Sequence, residues 1–219
     1  METGTILGFL KNLKRNNKKT WFDAHRDDYA MAKMSFENFV GDLIGDMTVV
    51  DPSLASLQPK DCIFRIFRDT RFSKDKTPYK TNFGAFLASG GRKSSGAGYY
   101  IHIEPGASML GGGLYMPPSD ILLKMRNYVA EEADGLKKII KAPAFKKYFN
   151  ELQPEKLKTM PKGFPASHPH AEWLKYTSYV VLHKISDKEL SNPRFEEHVI
   201  KGFKAMKPLC DFINDAVSQ

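Results

Sequence analysis

Apolar residues recur at helical spacing over the first fifty positions of the chain. A first helix is predicted from Ile6, Phe9, Leu10 and Leu13. It should end at Asn16-Asn17, and a longer helix should run from Thr20 to about Met47. The buried stripe of this second helix is predicted to hold Trp21, Phe22, Tyr29, Phe36, Phe39, Val40, Leu43 and Ile44. We therefore expect the aromatic residues of this region to belong to the core.

After Asp51-Pro52 the pattern changes to the two-residue alternation of β-strands. Strands are predicted at 62–72, 81–88, 99–104 and 110–116. The last two should form a hairpin through Pro105-Gly106. The glycine run 111–113 would weaken the last strand unless another backbone or a ligand approaches closely there. These glycines are therefore a secondary marker of a site.

Helical signals return after the fourth predicted strand. Helices are predicted at 119–134, 136–140 and 143–151 and around Trp173, and a further strand at 179–185. Asn192-Pro193 then starts a final amphipathic helix. The segments do not alternate between strand and helix, so the expected fold class is α+β. We expect one compact domain, residues 1–219, with an antiparallel sheet packed by N-terminal and C-terminal helices.

Composition limits the class of protein. The chain has 219 residues, of which 42% are hydrophobic and 26% charged, as in ordinary globular proteins. It has no long apolar run and no secretory signal pattern, so we expect no membrane insertion and a cytoplasmic location. Cys62 and Cys210 lack metal-ligand neighbours. We accordingly predict no metal site and no cofactor.

Positive charge is concentrated in two blocks of the sequence. Residues 60–93 contain nine basic and three acidic residues, and residues 137–162 contain eight and two, so each block has a net charge of +6. The whole chain carries +8, which leaves −4 for the remainder. Such blocks favour a phosphorylated or polyanionic partner. Lysines on solvated helices produce the same count, and this alternative stays open for the second block.

The first block contains the best candidate for a site. It holds three arginines around one carboxylate, followed by two lysines and a tyrosine: Arg65, Arg68, Asp69, Arg71, Lys76, Tyr79 and Lys80. On a regular strand, Arg65, Asp69 and Arg71 would share one face. Arg68 would lie on the other face unless a bulge re-aims it. Three arginines with one aspartate leave a local charge of +2, which favours a bound anion.

Three functions fit this cluster, and the sequence leaves all three open. In the first, a small phosphorylated or carboxylated ligand is bound by Arg65, Arg68, Arg71, Lys76, Lys80 and Tyr115. If this protein is an enzyme, its candidate catalytic residues are Asp69, Tyr79, His102 and Glu104. His102 and Glu104 are included because they share one face of the predicted third strand, where a histidine beside a carboxylate forms an acid–base pair.

The second function is structural, with the arginines and Asp69 forming an ion-pair network without a ligand. The third is nucleic-acid binding, in which rings interleaved with the basic residues stack on bases. The rings in question are Tyr79, Phe83, Phe86, Tyr99 and Tyr100. Exposure of these rings on the basic face would favour the third function. The sequence does not decide between enzyme and non-catalytic protein, nor does it give the oligomeric state.

Several separated motifs occur in a characteristic order. They are Asn17 with Trp21-Phe22, Arg65-x-x-Arg68-Asp69-x-Arg71-Phe72 with Asp75-Lys76-x-x-Tyr79, the runs 98–106 and 111–117, and Lys156-Leu157-Lys158 with Pro161-x-Gly163-Phe164. Together they resemble the DUF2461 family of conserved hypothetical proteins over nearly the whole chain. The resemblance implies no particular reaction, because that family has no established one.

Overall fold

The computed structural model describes residues 1–218, in which helices precede and follow a four-stranded sheet along the chain. Before the sheet come α1 (Thr3–Arg15), α2 (Lys19–Ala24), α3 (Arg26–Thr48) and α4 (Pro59–Cys62). The strands are β1 (Phe83–Leu87), β2 (Gly98–Ile103), β3 (Ser108–Leu114) and β4 (Tyr179–Ile185). Between β3 and β4 lie α5 (Ser119–Lys141), α6 (Pro143–Lys146) and α7 (Ala171–Leu174), and β4 is followed by α8 (Asp187–Leu190) and α9 (Phe195–Ser218).

The sheet is an antiparallel meander. Its strands are hydrogen-bonded in the order β1-β2-β3-β4, which is also their order in the sequence. The hairpin predicted at Pro105-Gly106 is present as the connection between β2 and β3, and Gly106 takes the left-handed φ of +77° that this turn requires. The α+β class predicted from the sequence is therefore confirmed.

The described chain forms two compact units, each assembled from separate stretches of sequence. Unit 1 comprises residues 1–92, 100–110 and 184–201. Unit 2 comprises residues 93–99, 111–183 and those from Gly202 on. A single domain over residues 1–219 stays a prediction.

The core of unit 1 is aromatic, as the helical pattern predicted. Phe36 of α3 stacks on Phe83 of β1 with ring centroids 5.4 Å apart. Phe22 of α2 stacks on Tyr79 with centroids 4.1 Å apart and ring planes 12° from parallel. Burial of each such side chain stabilises the fold by about 1.5–3 kcal/mol. The aromatic core thereby fixes the stretch that leads from Tyr79 into β1.

The core of unit 2 requires the glycines of β3. A Cβ on Gly112 would lie 2.2 Å from the carbonyl oxygen of Gly98 and 2.3 Å from Sδ of Met206. Gly113 has a φ of +104°, and a Cβ there would lie 2.1 Å from the carbonyl oxygen of Tyr179. Close approach of neighbouring backbone and side chains therefore accounts for these glycines.

Several predicted helix boundaries are wrong. The helix expected from Thr20 to Met47 is interrupted at His25, whose φ of −121° and ψ of 33° separate α2 from α3. The break is held locally, because Nδ1 of His25 lies 2.8 Å from the carbonyl oxygen of Trp21 and the two rings stack at 4.0 Å. The helices predicted at 119–134 and 136–140 form α5, whose two halves are separated by a kink at Glu132, near the predicted break. The helix predicted at 143–151 is only α6.

The strand predicted at 62–72 is also wrong. This segment forms only two isolated antiparallel bridges, Ile63 to Ala85 and Phe67 to Tyr79. Between them, the amide of Lys80 donates to the carbonyl oxygen of Ile66 at 2.8 Å. Within 62–72 only Cys62 and Ile66 are buried, so the segment has no continuous apolar face to hold a regular strand against a core. The alternation of side chains assumed for Arg65 to Arg71 therefore does not apply.

No helix in residues 1–218 combines the length and the apolarity that crossing a bilayer requires.

Candidate functional site

Two of the three arginines of the basic segment are held by nearby acids. Arg71 binds Asp69 through two hydrogen bonds, Nε to Oδ1 at 3.0 Å and Nη2 to Oδ2 at 2.8 Å. Arg68 donates from Nη1 to Asp75 and, at 3.2 Å, to the hydroxyl of Thr77. Arg65 is exposed. The local charge of +2 counted for three arginines and Asp69 therefore omits Asp75, the partner of Arg68.

Hydrogen bonding lowers the pKa of both aspartates of this segment. The Arg71 side chain lowers the pKa of Asp69 below its ordinary value, assisted by the Arg71 amide. The pKa of Asp75 is lowered first by the amide and hydroxyl of Thr77 and then by Arg68. Both ion pairs are solvent-accessible, so their function is to shape the segment more than to stabilise it.

A cavity of about 420 Å³ opens beside this segment in unit 1. It is lined by Arg68, Asp69, Lys80, Thr81, Asn82 and Glu104. The volume lies within the range of small-molecule sites. Arg68 and Asp69, which would lie on opposite faces of a regular strand, both reach this cavity.

Lys80 carries an uncompensated charge at the cavity. Its ammonium lies 5.6 Å from the ring centroid of Phe64, and no carboxylate in residues 1–218 forms an ion pair with it. The pKa of Lys80 is lowered, first by partial burial and then by the charges of Arg65 and Arg68. The positive charges of Lys80, Arg65 and Arg68 repel one another, and an anionic ligand bound at Lys80 would offset this repulsion.

A hydrogen-bonded chain of side chains runs along one face of β2 to the cavity. The hydroxyl of Tyr100 lies 3.0 Å from Nδ1 of His102, and Nε2 of His102 lies 3.1 Å from Oε2 of Glu104. The hydroxyl of Thr81 donates to Oε1 of Glu104 at 2.8 Å, and Nδ2 of Asn82 lies 3.3 Å from Nδ1 of His102. The alternation of β2 therefore joins His102 to Glu104, as expected from the sequence.

The main chain at Glu104 is fixed as well. Its amide donates to the hydroxyl of Ser108 at 2.9 Å, and that hydroxyl donates to the carbonyl oxygen of Glu104 at 2.8 Å. Ser108 is buried at the start of β3. The β2–β3 turn thus holds the residue that carries the cavity carboxylate.

Gly84 gives Tyr100 the space it occupies. A Cβ on Gly84 would lie 2.8 Å from the Tyr100 hydroxyl. Burial raises the pKa of Tyr100 to about 12, with a smaller contribution from the negative charge of Glu104. Tyr100 therefore keeps its proton across the physiological range, and its hydroxyl remains a neutral hydrogen-bonding partner of His102.

The raised pKa of Tyr100 predicts a loss of stability in alkali. Below pH 10 both the folded and the unfolded chain keep the tyrosine proton; between about pH 10 and about pH 12 only the unfolded chain loses it, so folding weakens. The expected contribution is about 2–3 kcal/mol, measured as the free energy of unfolding in urea at about pH 9 and about pH 12. Tyr100→Phe should lose less stability over this interval. Equal losses in both proteins would contradict the prediction.

Other residues singled out from the sequence lie outside the cavity lining. Tyr79 is 4% exposed and stacks in the aromatic core of unit 1. Lys76 donates to the carbonyl oxygen of Thr70 at 2.9 Å. Tyr115 belongs to unit 2 and is 73% exposed. Of the ten candidate residues, the lining includes Arg68, Asp69, Lys80 and Glu104, with His102 directly behind Glu104.

Sequence reasoning did not assign five residues that complete the site. They are Asp75, Thr81, Asn82, Gly84 and Tyr100. Tyr100 carried a usable signal, because it lies two positions before His102 on the same face of β2. Thr81 and Asn82 precede β1, and their neighbours follow from the pairing of β1 with β2.

The rings proposed as a stacking platform are largely internal. Tyr79, Phe83 and Tyr99 are between 1% and 4% exposed. Tyr100 is half-buried and bound to His102. Phe86 is likewise half-buried, so three of the five rings are too buried to stack on bases.

Fold and site together define an α+β protein with a polar, mixed-charge cavity beside an antiparallel sheet. Residues 5–212 match the family model described as "Conserved hypothetical protein (DUF2461)". The chain belongs to this family, which confirms the resemblance carried by its motifs. Comparison with curated proteins and with solved structures gives no match.

Proposed function

We propose that the cavity of unit 1 binds a small ligand through an anionic group, a phosphate or a carboxylate, held at Lys80. The observation that carries this proposal is the half-buried ammonium of Lys80, which faces the cavity without an ion pair to any acid in residues 1–218. A buried cation is costly unless it is paired. A ligand anion would provide the missing partner.

The surrounding charges support an anion at Lys80 more than at the arginines. Asp69 and Asp75 each hold one guanidinium, so the +2 surplus inferred around Asp69 falls to +1 when Asp75 is counted. Arg68 still lines the cavity, and a guanidinium has five N–H donors, of which the contacts to Asp75 and Thr77 use Nη1. The remaining donors of Arg68 are available to assist Lys80.

Acid–base catalysis in the same cavity is a second candidate function. It is favoured by the contact of His102 with Glu104, because a histidine orients a carboxylate that accepts a proton. Glu104 would be the proton acceptor, since it lines the cavity, and His102 would position it. Asp69 and Tyr79 contribute less to this candidate, because Arg71 occupies the first and the second is in the core.

Replacing Lys80 by methionine tests the proposed function. Lys80→Met keeps the length of the stem and removes the charge, so the affinity for inorganic phosphate and for acetate should fall at least about tenfold, the equivalent of one charged hydrogen bond. Isothermal titration calorimetry measures this change. Lys14→Met, at an exposed position of α1, is the matched control and should bind as the unmodified protein does. Unchanged affinity in a folded Lys80→Met protein would refute the proposal.

A further inference from the structure

We propose that the ligand is a small zwitterion, whose anionic group lies at Lys80 and whose ammonium group lies at Glu104. The inference rests on the proposed function and adds the second charge of the ligand. It follows from two opposite charges that face one cavity and are not paired with each other. The chemical class is an amino acid or an amino phosphate.

The side chains that contact the Glu104 carboxylate are a histidine and a threonine. On its far side from Glu104, Nδ1 of His102 lies 3.3 Å from Nδ2 of Asn82 and 3.0 Å from the Tyr100 hydroxyl. Nε2 of His102 lies 3.1 Å from Oε2 of Glu104, so the imidazole contacts the carboxylate at one oxygen.

The second contact of Glu104 comes from a neutral hydroxyl group. Thr81 donates a hydroxyl proton to Oε1, and no lysine or arginine of residues 1–218 forms an ion pair with this carboxylate. The Glu104 side chain is only 23% exposed. Each carboxylate oxygen can accept a further hydrogen bond, so an ammonium group has acceptors available on both.

The remaining charges of the cavity lining are already matched. Arg68 pairs with Asp75, and Asp69 pairs with Arg71. Of the lining residues, this leaves Lys80 without an acidic partner and Glu104 without a lysine or arginine partner. A site for a simple anion would be weakened by a carboxylate in its wall, because like charges in a partly desolvated cavity repel. A zwitterion converts that repulsion into attraction.

Matched pairs of ligands test this inference on the unmodified protein. The pairs are acetate with glycine, propionate with β-alanine, butyrate with 4-aminobutyrate, and ethyl phosphate with phosphoethanolamine. In each pair one member differs by an added ammonium group. We expect the amino member of at least one pair to bind about tenfold more tightly, as one charged hydrogen bond allows. Calorimetry or ligand-observed NMR measures the affinities, and the four pairs also separate carboxylate from phosphate.

Two variants assign the effect to named residues. Glu104→Gln should abolish the preference for the amino member and keep or improve the affinity for the simple acid. Lys80→Met should weaken both members. Glu104→Asp, which retains the charge, should keep a preference for the amino member and guards against an effect of misfolding in Glu104→Gln.

The outcomes separate this inference from the function beneath it. If simple acids bind and the amino members bind equally or more weakly in every pair, the zwitterion inference is wrong and anion binding stands. If neither member of any pair binds, the proposed function fails as well. A preference for the amino member that persists in Glu104→Gln would overturn the assignment to Glu104.

Discussion

An alanine at Gly112 should lower the free energy of unfolding by about 3 kcal/mol or more. The added methyl group would meet the carbonyl oxygen of Gly98 at 2.2 Å and Sδ of Met206 at 2.3 Å, both far inside van der Waals contact. Met206 can change rotamer, but the Gly98 oxygen belongs to β2 and moves only with the sheet. Overpacking alone costs typically 1–3 kcal/mol, and displacement of the backbone adds to it. Urea unfolding monitored by circular dichroism measures the loss.

Gly45→Ala is the matched control for this substitution. Gly45 lies within α3, and a Cβ there would have no atom within 4 Å. The same methyl group should therefore stabilise the protein by about 0.5–1 kcal/mol, because alanine favours a helix. If Gly112→Ala were as stable as Gly45→Ala, the close packing of β3 would be refuted.

Tyr79→Ala should destabilise the protein by about 3–5 kcal/mol, whereas Tyr79→Phe should change its stability by less than about 1 kcal/mol. Tyr79 is 4% exposed and its ring lies against Phe22 and Phe67, so truncation to alanine leaves a cavity in the aromatic core. Its hydroxyl forms no hydrogen bond within residues 1–218, so phenylalanine retains the packing.

These two Tyr79 variants also distinguish packing from chemistry. Thermal unfolding followed by near-ultraviolet circular dichroism measures stability, and phosphate or acetate titration of Tyr79→Phe measures binding. If Tyr79 only packs in the core, ligand affinity should be unchanged in Tyr79→Phe. A large loss of affinity with full stability would instead return Tyr79 to the ligand site.

Regular elements made part of the site predictable from sequence. Side chains alternate along β2, so His102 and Glu104 were expected on one face, and they are in contact there. The aromatic core of unit 1 was predictable for a similar reason, because Phe36 and Phe39 lie at helical spacing within α3 and are buried. Local periodicity was sufficient where the element itself was regular.

Irregular segments were not predictable in this way. The segment that carries Arg65, Arg68 and Arg71 has only isolated bridges, so the strand period gave the wrong faces. The partner of Arg68 is Asp75, across a turn whose shape depends on Thr77 and on the pairing of Phe67 with Tyr79. No glycine or proline lies next to His25 to indicate the break in the sequence.

The hydrogen bonds that hold both the main chain and the carboxylate of Glu104 have a consequence for ligand selectivity. Ser108 fixes its main chain, and Thr81 and His102 fix its carboxylate, so this side chain is preorganised and loses little rotational entropy when a ligand arrives. Because the Glu104 carboxylate is held rigidly, the two charged groups of a ligand must have the separation that reaches both Glu104 and Lys80. Among ligands with both an anionic and an ammonium group, the number of methylene groups between the two should decide the affinity. Long, flexible spacers should give the smallest increase in affinity.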